Sequence, residues 1–338
     1  MALSAGDNLH GDKYTVEKEL GRGRFSITYR AEDHNGNRFV IKTLDDTLLN
    51  SLEPLERDRL ETKFFQEALK LTRCNHPNIV KVRDSFQQGG KSYIVMDYID
   101  GVSLADRAQK VLSEQDALRY IRQVAEALIV VHQQGLIHRD VKPGNIIKQV
   151  RGGKPEAILI DFGLALFDHD QTVGRTNEAS AGFTPVELYS RQAQPPGPYT
   201  DVYSLAATLY ALVTGIMPVR AIERLDNECL VPPQQINKQI SKNLNRQILW
   251  GMELEPQKRP QSIKEWLDSL KEKGKVPVSV TNPTPVSQQN LETKIKLWTL
   301  VAAIITALGG LLAGIGALSG WFEPDSSPSP SSSPTSTR

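Results

Sequence analysis

Hydrophobic and polar positions along residues 14–272 change period several times, and each change marks an element. Through "ELGRGRFSITYRAEDHNGNRFVIKTL" (19–44), apolar and polar residues alternate on both sides of Asn35-Gly36. Alternation puts successive side chains on opposite faces of a strand, and Asn-Gly supplies the positive φ that a tight hairpin turn requires. The pattern predicts that hairpin and a second one before it, with "GRGRFS" at its tip. In "ETKFFQEALKLTR" (61–73) the period lengthens. Phe64, Phe65, Ala68, Leu69 and Leu71 recur at helical spacing, with Glu67 on or beside their face. "HPNIV" (76–80) ends that helix and begins a strand, and "SYIVMDYIDG" (92–101) is a further apolar strand closing in a turn. "HRDVKPGN" (138–145) has no such period, and Pro143 and Gly144 near its end predict a loop.

Beyond residue 272 the pattern changes. "GKVPVSVTNPTPVSQQNLETK" (274–294) is rich in Pro, Ser, Thr and Gln, the composition of a linker. The 26 residues from Leu297 to Phe322 carry no charge. About 20 apolar residues span a bilayer as a helix, and Trp298 and Trp321 lie near the two ends, where an aromatic belt forms. A buried core helix is the competing explanation, but core helices rarely run so long without a polar face. The expected organisation is a folded domain over 14–272, a flexible linker over 273–296, a transmembrane helix over 297–322 and a disordered low-complexity tail over 323–338.

Composition changes the picture little. A chain of 338 residues with net charge +1 has no bulk electrostatic footprint for nucleic acid, so no nucleic-acid partner is expected. Cys74 and Cys229 are far apart and lack metal-clip spacing, which argues against a disulfide framework or structural zinc and for a reducing compartment. The first 20 residues hold no apolar run, so no signal peptide is expected.

Candidate chemistry lies in two places. Gly21 and Gly23 let backbone amides approach a phosphate without a Cβ in the way, although a plain tight turn explains them equally well. Lys42 ends an apolar strand that should be buried, and a buried lysine needs an anion; Glu67 on the next helix is the candidate. The loop 138–145 gathers an imidazole, a guanidinium, a carboxylate, an ammonium and an amide. Singly these are ordinary turn residues.

The order of motifs is the Gly-rich hairpin, "VIK", a helix with Glu, "HRDVKPGN", "DFG" (161–163), "PVE" (185–187), "DVYSLA" (201–206) and "KRP" (258–260). It resembles a eukaryotic-type (Hanks-type) serine/threonine protein kinase of the membrane-anchored kind found in bacteria, over residues 14–272. The resemblance implies an α+β, bilobal protein-kinase-like fold, with a small β-rich N-lobe and a larger helical C-lobe, here followed by the transmembrane helix. It implies ATP and Mg²⁺ (Mn²⁺ as the alternative) as cofactors. Asp140 would orient the acceptor hydroxyl and take its proton, and Lys142 would stabilise charge on the γ-phosphate. Asn145 and Asp161 would hold the metal. Lys42 would grip the α- and β-phosphates and pair with Glu67. Gly21, Arg22, Gly23 and Thr28 would cover the nucleotide. Val40 and Ile147 would sandwich adenine, with Met96 behind it and the backbone of Asp97 and Ile99 as hinge. Glu187 with Arg259, and Asp201, match architectural positions, and His138, Phe162, Leu71 and Val82 match a stacked apolar spine.

Departures from the family pattern are few. Ser26 replaces the third glycine, Thr28 the usual valine, Val40 the usual alanine, and "PVE" the usual "APE". Lys142 is the serine/threonine form of the loop. Ser180 takes the place of a threonine that contacts the catalytic aspartate. Arg139 before Asp140 matches kinases whose activation loop is ordered by phosphate, with Thr176 as the first candidate and Thr172 as the next.

The expected partners are ATP, protein substrates, membrane lipid and a second copy of the chain through the transmembrane helix, where Gly310 and Gly314 repeat at four-residue spacing. Lys271, Lys273, Lys275, Lys294 and Lys296 precede the apolar run and only Arg338 follows it, which predicts a single-pass protein with a cytoplasmic kinase domain and a short tail on the far side. Other readings are a pseudokinase or ATP-binding membrane scaffold, a small-molecule kinase of similar fold, and a membrane-anchoring adaptor.

Overall fold

The computed structural model describes residues 3–23, 25–162, 178–189, 194–226 and 228–271. All of these fall in one compact unit, Met1–Val276. The expected transmembrane helix, the linker, the tail, Thr172, Thr176 and Gly163 lie outside the described residues. Among the described residues no helix is long and apolar enough to cross a membrane.

The N-terminal half is built on a six-stranded antiparallel sheet in the order β1-β2-β3-β4-β6-β5. Its strands are β1 (Asn8–Leu9), β2 (Tyr14–Arg22), β3 (Ser26–Asp33), β4 (Arg38–Leu44), β5 (Val82–Gln88) and β6 (Lys91–Asp97). Both expected hairpins form. Gly36 takes φ +75° in the β3–β4 turn, and Thr28 pairs with Lys42 and Glu32 with Arg38. Alternation sends Tyr14, Val16, Ile27, Tyr29, Ala31 and Ile41 into one core with Phe86, Tyr93 and Val95. The short strand β1 was not legible in the sequence, because two residues show no period. It is held by pairing of Asn8 and Leu9 with Thr15 and Tyr14.

Between β4 and β5 run α1 (Asp46–Asn50) and α2 (Pro54–Leu71). The helix starts earlier than its apolar face predicts, because Pro54 stands in its first turn, where a missing N–H costs nothing. Phe64, Ala68 and Leu71 are buried against the sheet and the second half of the molecule.

The C-terminal half is helical. Its elements are α3 (Glu114–Gln133), α4 (Glu178–Ala181), α5 (Pro198–Thr214), α6 (Ala221–Leu225), α7 (Pro233–Ile236), α8 (Lys242–Gly251) and α9 (Ile263–Lys271). A small sheet of β7 (Val102–Ser103), β8 (Ile146–Arg151) and β9 (Lys154–Leu159) lies beside them. Helix α5 is buried along nearly its whole length, and its polar members, among them Asp201, Ser204 and Thr208, are buried with the rest. The larger core joins both halves: Phe64 and Leu71 of α2 share it with Leu128 of α3 and Leu205 of α5. The architecture is the bilobal kinase-type fold that the sequence predicts for its folded domain.

Candidate active site

Residues 138–145 connect α3 to β8, and they are irregular as their composition demands. Only Pro143–Asn145 forms a 3-10 turn. The loop is anchored from below by Asp201, the first acidic residue of α5, which is fully buried. Its carboxylate accepts the backbone N–H groups of His138 and Arg139, each at 2.8 Å, and contacts His132 Nε2 at 2.8 Å. Burial pushes this carboxyl's pKa up, but the hydrogen bond and charge of His132, with help from His138, override it and hold it below the usual range. His132, on the last turn of α3, was missed in the sequence. Its six-residue spacing from His138 was visible, but nothing local says that both converge on one carboxylate.

His138 is buried, and desolvation lowers its pKa, so the ring is neutral. Its Nδ1 accepts the Asp140 N–H at 3.3 Å, leaving Nε2–H to donate to the Ile160 carbonyl at 3.2 Å. The ring lies 4.8 Å from that of Phe162, and Phe162 shares the larger core with Leu71, with Val82 packed against it. Arg139 takes φ +66° and Asp161 φ +53°, conformations that non-glycine residues adopt rarely and that tertiary contacts must hold.

The polar groups of the loop bond to one another. Lys142 Nζ donates to Asp140 Oδ2 at 2.7 Å and to Ser180 Oγ at 2.6 Å. Asn145 Nδ2 donates to the Asp140 carbonyl at 2.8 Å and to Asp140 Oδ2 at 2.9 Å. The amide oxygen of Asn145 is thereby turned away from Asp140. Ser180 is bonded to the lysine, so the contact expected with the aspartate runs through Lys142.

Above the loop lies a cavity of about 360 Å³. Of the sequence-predicted residues, Gly21, Thr28, Val40, Lys42, Met96, Asp97, Ile99, Asn145, Ile147 and Asp161 line it. Leu20, Val80, Gly101 and Ile160 line it too and were missed. Leu20 carried a signal in its position just before Gly21, as a leucine that remains 43% exposed. Gly101 is a glycine by necessity, since a Cβ there would stand 2.5 Å from the Lys148 carbonyl oxygen. The cavity is apolar around Val40, Met96 and Ile147 and ionic around Lys42 and Asp161, the division that a nucleotide requires. At the hinge, the Asp97 N–H donates to the Lys81 carbonyl at 3.0 Å, and the Asp97 side chain takes Arg83 in two hydrogen bonds of 2.5 and 2.8 Å.

The Lys42 ammonium bonds the Asp161 carboxylate, and the Phe162 carbonyl at 3.3 Å. Glu67 is buried on α2 and does not line the cavity. Enclosure pushes Asp161 up, but the charge and hydrogen bond of Lys42 outweigh it and hold the carboxyl below its usual range. Arg22 and Gly23 do not line the cavity either; the Arg22 guanidinium is bonded to Glu19 and Asp45 on the other side of the hairpin.

The donor set fits a hard divalent cation. Asp161, whose carboxyl is held ionised, and Asn145, whose amide nitrogen is used by Asp140, both line one cavity, and phosphate oxygens would complete the shell. Among the described residues no group of three or more His, Cys, Asp or Glu could hold a metal alone.

Farther out, Glu187 and Arg259 form a fully buried bidentate pair at 2.7 and 2.9 Å. The remaining donors are used: Arg259 also reaches the carbonyls of Glu253 at 2.7 Å and Leu254 at 3.0 Å, and Thr200 Oγ1 donates to Glu187 at 3.0 Å. Without those bonds, desolvation would exceed the Coulomb gain.

The comparisons with known proteins agree with this geometry. The protein kinase domain profile matches residues 14–270. A probable serine/threonine-protein kinase of Clostridium perfringens is 33% identical over 285 residues, covering 79% of this chain and 39% of that protein. The serine/threonine-protein kinase PkaA of Streptomyces coelicolor is 33% identical over 222 residues, covering 62% of this chain and 40% of that protein. This chain thus spans about two fifths of the length of these curated relatives. Among solved structures, PpkA-294 in its apo form aligns with TM-score 0.62 at 26% identity, covering 80% of this chain and 99% of that one. The PknI kinase domain of Mycobacterium tuberculosis aligns with TM-score 0.59 at 27% identity, covering 80% of this chain and 99% of that one. With the catalytic-loop cluster, the ionic cavity and the buried Glu187–Arg259 pair in one fold, and with the family profile running from residue 14 to 270, this chain belongs to the protein kinase family.

Proposed function

We propose that the chain is a serine/threonine protein kinase that transfers the γ-phosphoryl group of ATP to protein hydroxyls, including its own, while held at a membrane by residues 297–322. The observation that carries the reading is that Lys42, Asn145 and Asp161 line one cavity while Asp140 is hydrogen-bonded to both Asn145 and Lys142. Asp140 accepts the proton of the incoming hydroxyl as its oxygen bonds to phosphorus and the bond to the ADP oxygen breaks. Lys142 lies between Asp140 and Ser180, where its ammonium offsets negative charge on the group in transfer. Lys42 anchors the nucleotide phosphates opposite. Magnesium, when held by Asp161 and Asn145, supplies further neutralisation of phosphate charge.

The serine/threonine class is supported by Lys142 in the catalytic loop and by the names of the bacterial relatives. Arg139 supplies a guanidinium suited to a phosphorylated activation loop, with Thr176 first and Thr172 second as the modified residue. Membrane attachment and a cytoplasmic kinase domain rest on the uncharged 26-residue run and the five lysines ahead of it.

The test is transfer from labelled ATP to the protein itself and to a lysate, with Asp140→Asn alongside. Transfer to serine and threonine that the variant abolishes is expected. ATP binding without transfer by the wild type favours a pseudokinase scaffold. For topology, protease added to sealed inside-out vesicles should remove the kinase domain, and protection of that domain reverses the orientation.

A further inference from the structure

Arg22 stands between the two glycines of the hairpin tip, where a guanidinium invites the role of phosphate ligand. The strand register says otherwise. Gly21 pairs with Thr28 and both line the cavity, whereas Arg22 pairs with Ile27, a fully buried residue of the N-terminal core. Cross-strand partners share a face and neighbours alternate, so Arg22 belongs to the face away from the cavity. There its Nη1 donates to Asp45 Oδ2 at 2.7 Å, and its Nη2 and Nε donate to Glu19 at 2.9 and 3.3 Å.

Asp45 is a built acceptor. It is 6% exposed and joins β4 to α1. Its Oδ1 accepts the Thr47 N–H at 2.7 Å, capping α1, and its own N–H donates to the Phe25 carbonyl at 2.9 Å. Two bonds therefore run from this residue to the hairpin tip, one to the Arg22 side chain and one to the backbone at Phe25. Burial pushes the Asp45 carboxyl up, but the Thr47 amide and hydroxyl and then Arg22 hold it ionised below the usual range. The next residue, Asp46, is paired with Lys91 of β6, so the anchor is itself fixed to the sheet.

We propose that Arg22 and Asp45 form a latch that holds the glycine-rich tip against the start of α1, and that they are positioning residues which set the affinity for ATP without touching it. The proposal rests on the ATP-dependent reading above. A tip held in one place loses less freedom when nucleotide binds beneath it, so breaking the latch weakens binding by adding that cost back. An ion pair with one exposed partner contributes little, so the expected change is a few fold.

The experiment uses the full-length chain as wild type, Arg22→Gln, Asp45→Asn and the double variant. Affinity for MgATP is measured by calorimetry, and hydrogen exchange of residues 19–26 is followed without nucleotide. Asparagine still caps a helix, so α1 is retained, and a thermal melt checks folding. Each single variant should weaken ATP binding about three- to fivefold. The double should be no weaker than either single, and all three should exchange faster at the tip. In turnover the change should fall on KM for ATP more than on kcat, and Arg22→Lys should recover part of it. If Arg22 instead serves the phosphates, Asp45→Asn frees it and ATP binds as tightly or more so; that result, additive losses, or unchanged exchange overturns the latch. Absence of both ATP binding and phosphotransfer in the wild type overturns the kinase reading and the ATP half of the proposal together, while the exchange data still judge the contact.

Discussion

The catalytic loop at 138–145 and the glycine-rich hairpin tip at 21–26 are both short, polar and placed at the same cavity, yet they are held in opposite ways. The first is fixed from inside: Asp201, with no exposed surface, takes two of its amides, and His138 is buried beneath it. The second is fixed from outside by Arg22, whose side chain is 42% exposed. Leaving a buried polar group without its partner costs about 1–3 kcal/mol, whereas a surface ion pair contributes about 0–1. The loop that carries a carboxylate and an ammonium is thus anchored by buried bonds, and the hairpin tip by a contact that is half exposed.

That contrast can be broken at several levels. The largest effect is expected at the charges themselves. Asp161→Ala and Lys42→Met should each reduce phosphotransfer by a factor of ~10² or more while circular dichroism shows the fold retained. Near-wild-type turnover in both would remove the assigned roles. Next is the buried pair that closes the C-terminal half. Arg259→Met leaves Glu187 charged and enclosed, and should cost about 3–5 kcal/mol in urea unfolding; a loss below 1 kcal/mol would mean that water reaches the site.

Asp201 offers a finer probe of internal anchoring. Asparagine at this position keeps the shape but leaves one amide of the loop facing an N–H₂, an expected loss of about 1–3 kcal/mol at neutral pH. The sign of its pH dependence follows from the depressed pKa. The carboxylate's stabilisation is complete above the unfolded value near 4 and is lost as pH falls through the lower folded value. Asp201→Asn should therefore flatten the acid limb of the stability curve, and an unchanged limb would show that other carboxylates control it. The smallest effect is the latch: breaking Arg22–Asp45 should shift ATP affinity a few fold and leave the melting temperature nearly unmoved.

Much of this protein was written locally. The two hairpins follow from alternation around Asn35-Gly36, α2 from the spacing of Phe64, Ala68 and Leu71, and the irregularity of 138–145 from Pro143 and Gly144. The order and spacing of the motifs identified the family, because each motif is a local solution to holding phosphate, metal or backbone. What the sequence left open was always a choice between partners distant along the chain. It gave no sign that Asp161 would reach the Lys42 ammonium from 119 residues away. It offered Arg22 a phosphate, but the strand register turns it toward Asp45. It gave no sign that His132 shares the carboxylate of Asp201 with the catalytic loop, because those groups meet only when α3 packs on α5. Local sequence sets which groups are present and which backbone they sit on. Pairing is decided by the tertiary structure, which sets which groups stand within reach of one another.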